Sequence, residues 1–150
     1  MAKRIRRILY ATDYSKASAR AFDEAVNLAK QNNAEILVVH VIEPVTPYVT
    51  AEDYGSTELY MRLEDTTKKD AESSMRRLMQ KLQNLKVKAK SLLLKGSTYD
   101  QIIRAAKSRK ADMIVIGTHG RTGLSKLFMG SVAGKVVSTA HCPVLTVRGK

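Results

Sequence analysis

Short apolar runs of strand length recur along the chain, and each but the last is followed by a segment with helical spacing. Ile8-Leu9-Tyr10-Ala11-Thr12 is the first run and Ile36 to Val41 the second. Val87 to Leu94 alternates partly, with Val87, Ala89 and Ser91 against Leu92 and Leu94, as a strand nearer a sheet edge would. Met113 to Ile116 and Pro143 to Val147 complete the set. Between them, Ala19, Phe22, Val26 and Ala29 fall on one helical face, as do Ala71, Met75, Leu78 and Leu82 within a long helix over 58–84. Ile102, Ile103 and Ala106 do the same after the turn Gly96-Ser97-Thr98, and Ser131 to Ala140 can be helical. The order is β-α-β-α-β-α-β-α-β. Strict alternation with crossover helices predicts an α/β fold: a doubly wound parallel sheet with helices on both faces.

Local signals set the boundaries. Ser15 or Asp13 can cap the first helix, and Asn32-Asn33 ends it. Pro44, Pro47 and Gly55 interrupt regular structure over 43–57, so this stretch reads as a loop. Its Tyr48 and Tyr54 either cover a ligand or stand in solvent. The 150 residues are 44% hydrophobic, enough for one domain spanning 1–150 with a real core. No apolar run has the length of a membrane span. The basic start, Met-Ala-Lys-Arg-Ile-Arg-Arg, leads into an apolar run too short for a secretion signal, so a cytoplasmic protein is expected. The single cysteine, Cys142, cannot form an internal disulfide and reads as a small buried hydrophobe before a reactive thiol or an intermolecular bridge.

The net charge of +12 favours anionic partners without choosing among them. Lys68, Lys69, Arg76, Arg77 and Lys81 lie on the outer faces of the long helix. They read as a solvated face or, more sharply, as a nucleic-acid groove. No RNA-recognition aromatic pattern, zinc finger or basic zipper accompanies them.

In a doubly wound sheet, ligands bind outside the strand C-termini, where the winding reverses. Asp13, Val41 and Gly117 fall at such ends. The segment Gly117 to Val132, GTHGRTGLSKLFMGSV, joins a strand to a helix start. Its glycines allow positive φ and close approach of a ligand to main-chain amides. A helix start adds unpaired N–H groups and a positive dipole end, which together suit phosphate. The standard phosphate motifs are absent. Gly130-Ser-Val-Ala-Gly134-Lys135-Val136 is one residue short of a P-loop and ends in valine, and no G-x-G-x-x-G follows the first strand. What is present is Gly117-x2-Gly120-x9-Gly130-Ser131.

That spacing resembles the universal stress protein family, in the branch with an ATP-binding loop of form G-x2-G-x9-G-S/T. The likeness extends to Ile8-Leu-Tyr-Ala-Thr-Asp13-Tyr-Ser15, to Val39-His40-Val41, to Ala111 through Gly123, and to His141-Cys-Pro-Val-Leu-Thr-Val147. Essentially the whole chain is covered, with residues 43–60 the freest part. The resemblance implies a Rossmann-like five-stranded sheet in the order 3-2-1-4-5, related to the adenine-nucleotide α-hydrolase class. It also implies an ATP-binding protein that acts as a nucleotide-dependent stress-response or signalling module. Ala11, Thr12 and Asp13 would line the site near ribose and phosphates, and Val41 would offer its backbone to adenine. Gly117, Gly120 and Gly130 would let the loop wrap the phosphates. Ser131 and the Val132 N–H would hold phosphate oxygens. Alanine at position 11 departs from the proline that many members carry, which touches only a main-chain detail.

An exposed helix-end charge contact is worth about 0.3–1 kcal/mol, whereas micromolar binding needs about 8 kcal/mol. Adenine burial, several N–H bonds and Mg²⁺ or Mn²⁺ must supply the rest. Asp13 would otherwise face a triphosphate of its own sign, so it is the candidate metal contact. Arg121 can pair with phosphate or stand in solvent, with Lys126 a weaker candidate. His119 reads as a packing or capping group, and His40 and His141 as structural groups near strand ends. His40, His119, His141 and Cys142 have no zinc spacing, and no G-x-S-x-G elbow supports a triad. No catalytic residue is assigned. Without a P-loop lysine or a water-orienting residue, at most slow ATP hydrolysis is expected. Family members usually pair through the last strand, and the apolar Val144, Leu145 and Val147 point to a homodimer here.

Overall fold

The computed structural model describes the backbone of residues 3–44, 54–119 and 129–149, and the side chains of all of these except 54–57. Five strands and four helices alternate: β1 (Arg7–Ala11), α1 (Lys16–Asn32), β2 (Glu35–Ile42), α2 (Tyr54–Asn84), β3 (Ala89–Lys95), α3 (Thr98–Ser108), β4 (Met113–Gly117), α4 (Ser131–Thr139) and β5 (Val144–Val147). All strands pair in parallel, in the order β3-β2-β1-β4-β5. This is the doubly wound order that the family resemblance implies.

Strand alternation divides the core in two. Ile8, Tyr10, Ile36, Val38 and Val115 face α1 and α2. Leu9, Leu37, Val39, Ile114 and Ile116 face α3 and α4. The three central strands are thus covered on both sides, which is why their sequences are nearly continuous apolar runs. Tyr10 is buried edge-on to Phe22, at 5.8 Å between ring centroids. Its hydroxyl donates to the Ser18 carbonyl at 2.8 Å, and burial pushes its pKa up. The outer strands β3 and β5 are only part-buried, as edge strands must be.

Ser15 caps α1, its side chain accepting the Ser18 N–H at 3.3 Å. Asp13 contributes as well, one carboxylate oxygen accepting the Ser15 N–H at 2.9 Å. The buried stripe of α1 runs through Ser18, Ala21, Phe22, Ala25, Val26 and Ala29. Ala19, expected on that face, is exposed. A serine takes the buried place because its hydroxyl hydrogen-bonds with the Ser15 carbonyl at 2.8 Å and the Thr12 hydroxyl at 3.0 Å.

Three helices end alike. Asn33, Lys86 and Lys110 all have positive φ, at 52°, 59° and 55°. The following amides, of Ala34, Val87 and Ala111, return to Ala29, Leu82 and Ala106 at 2.9–3.0 Å. This closure satisfies helix-end carbonyls and normally uses glycine. It also explains why β3 begins at Ala89 and not at Val87: the Val87 amide is spent on closing α2.

The long helix starts at Tyr54, so residues 54–57, expected in a loop, are helical. The expected stripe holds: Ala71, Met75 and Leu82 are buried and Leu78 is part-buried. Toward its start the helix leaves the core, and Leu59, Met61 and Leu63 are exposed. Residues 45–53, with Tyr48, and 120–128, with Lys126, lie outside the described residues.

Candidate functional site

A cavity of about 660 Å³ opens at the C-terminal ends of β1, β2 and β4, where the chain's winding reverses. Ala11, Val39, Val41 and Ile116 line it from the strands. The turn after β1 and the α2 residues Asp70, Ala71 and Ser74 form one wall, and Thr98, Ile102 and the start of α4 another. Of the residues that the sequence singles out, Ala11, Thr12, Asp13 and Val41 line this space. Gly117, Gly130, Ser131 and Val132 line it too. Gly120 and Arg121 lie outside the described residues.

The turn after β1 is held by its own side chains. The buried Thr12 hydroxyl accepts the Tyr14 N–H at 2.9 Å, and the Thr12 carbonyl lies 2.8 Å from His40 Nδ1. Tyr14 takes φ 63°, an uncommon value for a bulky residue. Its ring lies 4.3 Å from that of His40, and its hydroxyl donates to the Ala71 carbonyl at 3.1 Å. Tyr14 therefore ties β1, β2 and α2 together beside Asp13. The sequence gives Tyr14 no special mark, because a strained φ and a partner 57 residues away leave no local signature. Asp70 and Ser74 were also missed as lining residues. On a helix of this length, only tertiary packing selects the turns that face the cavity.

Opposite, Gly130 precedes α4 with no side-chain cap, and its N–H donates to the Thr118 carbonyl at 2.6 Å. The first helical bond is that of the Gly134 amide to the Gly130 carbonyl at 3.0 Å. The amides of Ser131, Val132 and Ala133 precede it, and no side chain among the described residues caps them. Thr118 also binds back to β5, its amide donating to the Val147 carbonyl at 2.9 Å, while its hydroxyl lies 2.8 Å from His119 Nδ1. His119 also lines the cavity.

The glycines depart from expectation in one respect. Gly96, at 139°, has positive φ among the described glycines, whereas Gly130 sits at −58° and Gly117 ends a regular strand. A Cβ on Gly117 would meet the Ala17 carbonyl of α1 at 3.5 Å, an ordinary contact. What these two positions supply is a missing side chain, not an unusual backbone conformation.

The charged side chains that line the cavity among the described residues are the carboxylates Asp13, Glu43 and Asp70, with no lysine or arginine. Glu43 accepts a hydrogen bond from the Thr98 hydroxyl at 2.7 Å. Among the described residues, no group of three acidic, histidine or cysteine side chains could cage a metal. Cys142 is remote from this cavity, part-buried against the α3–α4 side of the core. Burial, with Asp112 next in effect, pushes its thiol pKa up.

A doubly wound parallel sheet with a crevice at its switch point, walled by a helix start without a side-chain cap among the described residues, defines a class of Rossmann-like α/β proteins. Within that class the chain belongs to the Universal stress protein family, whose profile matches residues 4–148. It is 36% identical to universal stress protein MJ0531 of Methanocaldococcus jannaschii over 95% of this chain and 82% of that protein. It is 39% identical to a universal stress protein of Thermus aquaticus over 94% of this chain and 97% of that one. Among solved structures, UspA of Lactobacillus plantarum superposes with a TM-score of 0.82 at 28% identity, covering 98% of this chain and all of that one. The same fold, at lower identity, occurs in a universal stress protein solved with cAMP (TM-score 0.72, 19% identity, 99% and 100% coverage). It recurs in one from Archaeoglobus fulgidus solved with dAMP (0.67, 22%, 96% and 98%). An Arabidopsis thaliana member carries AMP (0.68, 22%, 97% and 92%).

Proposed function

We propose that the cavity is an adenine-nucleotide site and that ATP is its preferred occupant. One observation carries the reading: the start of α4, with no side-chain cap among the described residues, borders a space of about 660 Å³ at the switch point. That volume falls within the range of roughly 300–1,000 Å³ usual for small-ligand pockets. The adenine nucleotides in three proteins of the same fold support it. Adenine would lie along the apolar strand ends, with the Val41 main chain as its hydrogen-bonding edge. Ribose and phosphates would pass Ala11, Thr12 and Asp13. The phosphates would end at the amides of Ser131 and Val132 and at the Ser131 hydroxyl. Gly117 and Gly130 would let the chain wrap the phosphates, and Gly120 and Arg121 would complete the loop.

The carboxylates bear on which nucleotide binds. With Asp13, Glu43 and Asp70 around the space, a triphosphate needs compensating positive charge. The donor set suits Mg²⁺, which binds through one or two carboxylates and the ligand's own phosphates without a protein cage. Asp13 would hold it, and the ion would neutralise phosphate charge. Without the lysine of a P-loop, at most slow hydrolysis is expected of this site. A receptor that reports nucleotide state in a stress response, in the cytoplasm, fits better than an enzyme. The part-buried edge strand β5 would pair with its copy in a homodimer.

The test is direct. Denaturing the purified protein should release adenine nucleotide into the supernatant, and stripped protein should bind ATP at micromolar concentration with Mg²⁺ present. An absence of bound nucleotide together with no heat of binding for ATP, ADP, AMP or cAMP would end this reading. Light scattering at micromolar concentration should give a dimer mass, and a monomer would remove the β5 pairing alone.

A further inference from the structure

Parallel strands place all their N-termini at one pole, opposite the cavity. Backbone bonds link that rim in order, the amides of Ile36, Glu35, Asp112 and Ile114 donating to the carbonyls of Lys88, Arg6, Arg7 and Pro143 respectively. Five segments meet there: residues 3–7, 30–35, 84–90, 107–112 and 140–143. Their lysines and arginines are opposed by two carboxylates only, Glu35 and Asp112.

Both carboxylates are engaged. Glu35 pairs with Arg7 at 3.3 Å and with Lys90 at 4.0 Å. Asp112 pairs with Lys3 at 3.0 Å and accepts the amides of Arg6 and Arg7 at 2.9 and 3.0 Å. Arg4, Arg6, Lys86, Lys88, Lys107 and Lys110 remain exposed, with no ion pair among the described residues. Between Lys3, Lys107, Lys110 and His141 lies a depression of about 420 Å³.

Helix C-termini point to this pole and favour one cation each, which accounts for Lys30 and Lys107 in last turns. That reason does not extend to Arg4, Arg6 and Lys88 on the strand side of the rim. Nor does it explain lysine at 86 and 110, where positive φ makes glycine the low-strain choice. The basic long helix is different. Glu58, Glu64, Asp65, Asp70 and Glu72 intersperse its cations, and Lys69 pairs with Asp65 at 3.0 Å.

We propose that this cationic pole binds the phosphate backbone of duplex nucleic acid, independently of the nucleotide cavity. The pole carries no Phe, Tyr or Trp, so it lacks the stacking platforms that single-stranded binders use. It also exposes none of the large apolar side chains that a membrane-inserting face would present among the described residues. Binding of this kind is sequence-independent and strongly salt-dependent. From β3 to β4 the rim crosses three strand intervals, about 14 Å, a span that reaches phosphates on both sides of a groove.

The experiment measures retention of a 20-base-pair DNA duplex, and of the RNA duplex of the same sequence, by the full chain across a salt series. The log–log slope should be steep, about −4 or beyond. A variant with Arg4→Gln, Arg6→Gln, Lys107→Gln and Lys110→Gln should bind at least 30-fold more weakly at about 100 mM salt. Its slope should fall by about 3. Circular dichroism and retained nucleotide binding would show that it is folded. A control with Lys68→Gln, Lys69→Gln, Arg76→Gln and Arg77→Gln should bind as the wild type does, with or without AMP. No retention at about 50 mM salt would overturn the proposal, as would equal losses in both variants. Tighter capture by phosphatidylserine vesicles than by duplex would overturn it as well. Failure here leaves the nucleotide reading intact, since that rests on heats of binding at the other pole.

Discussion

The two poles of the sheet differ in almost every physical respect. The C-terminal pole is concave, lined by strand ends and helix starts, with carboxylates as its charged side chains among the described residues. The N-terminal pole is a rim of helix ends and strand starts where cations outnumber the two carboxylates that anchor it. Among the described residues, unpaired cations gather at the N-terminal pole and no lysine or arginine lines the cavity, so a net charge of +12 does not by itself describe the cavity. At the cavity, anions would be recognised by backbone amides and a metal ion; at the rim, by solvent-facing side chains. The first mode is geometric and weakly dependent on salt, the second electrostatic and steeply so.

The sharpest way to break this contrast is Gly130→Val. Branched bulk at the α4 start should weaken nucleotide binding at least 100-fold, about 2.7 kcal/mol, while duplex retention stays unchanged. Calorimetry on both ligands checks it, and parallel losses would mean that the poles are coupled. Next in size is the charge-stripped rim described above, for which the reverse pattern is expected.

Asp112→Ala tests what the rim's carboxylate contributes to folding. Burial alone would raise the Asp112 pKa, but the amides of Arg6 and Arg7 and the Lys3 ammonium outweigh it and hold it below its usual value. A depressed folded value means stabilisation that is complete above the unfolded value of about 3.9 and fades as pH falls through the folded one. The substitution should cost about 2 kcal/mol at neutral pH, and urea titrations should show the gap to wild type closing in acid. The smallest effect is expected for Lys110→Gly. Relief of the left-handed backbone should raise stability by about 0.5 kcal/mol, while loss of one cation weakens duplex binding about threefold. A destabilised Lys110→Gly would mean that the lysine is held there by packing and not by its charge.

The sequence carried the architecture because burial on both faces writes itself into the strands. Ile36 to Val41 and Met113 to Ile116 read as covered strands before any coordinates are known. Ser15 and Asn33 marked their helix ends because capping is local chemistry between neighbours. The site's strand-end residues were legible for the same reason: Asp13, Val41 and Gly117 sit where a doubly wound order must place a crevice.

Other features depend on partners distant in sequence, and these only the tertiary structure decided. Ser18 replaced Ala19 on the buried face of α1 because Thr12 offered it a hydrogen bond. Tyr14 gained its place through Ala71 and His40. The division of charge between the poles arose because a parallel sheet gathers segments far apart in sequence at the same end. Periodicity and caps are encoded within a few residues, so the chain determined its elements and their order by itself. Which side chains face a cavity, and which cations stand unpaired on a rim, is fixed only when those elements pack.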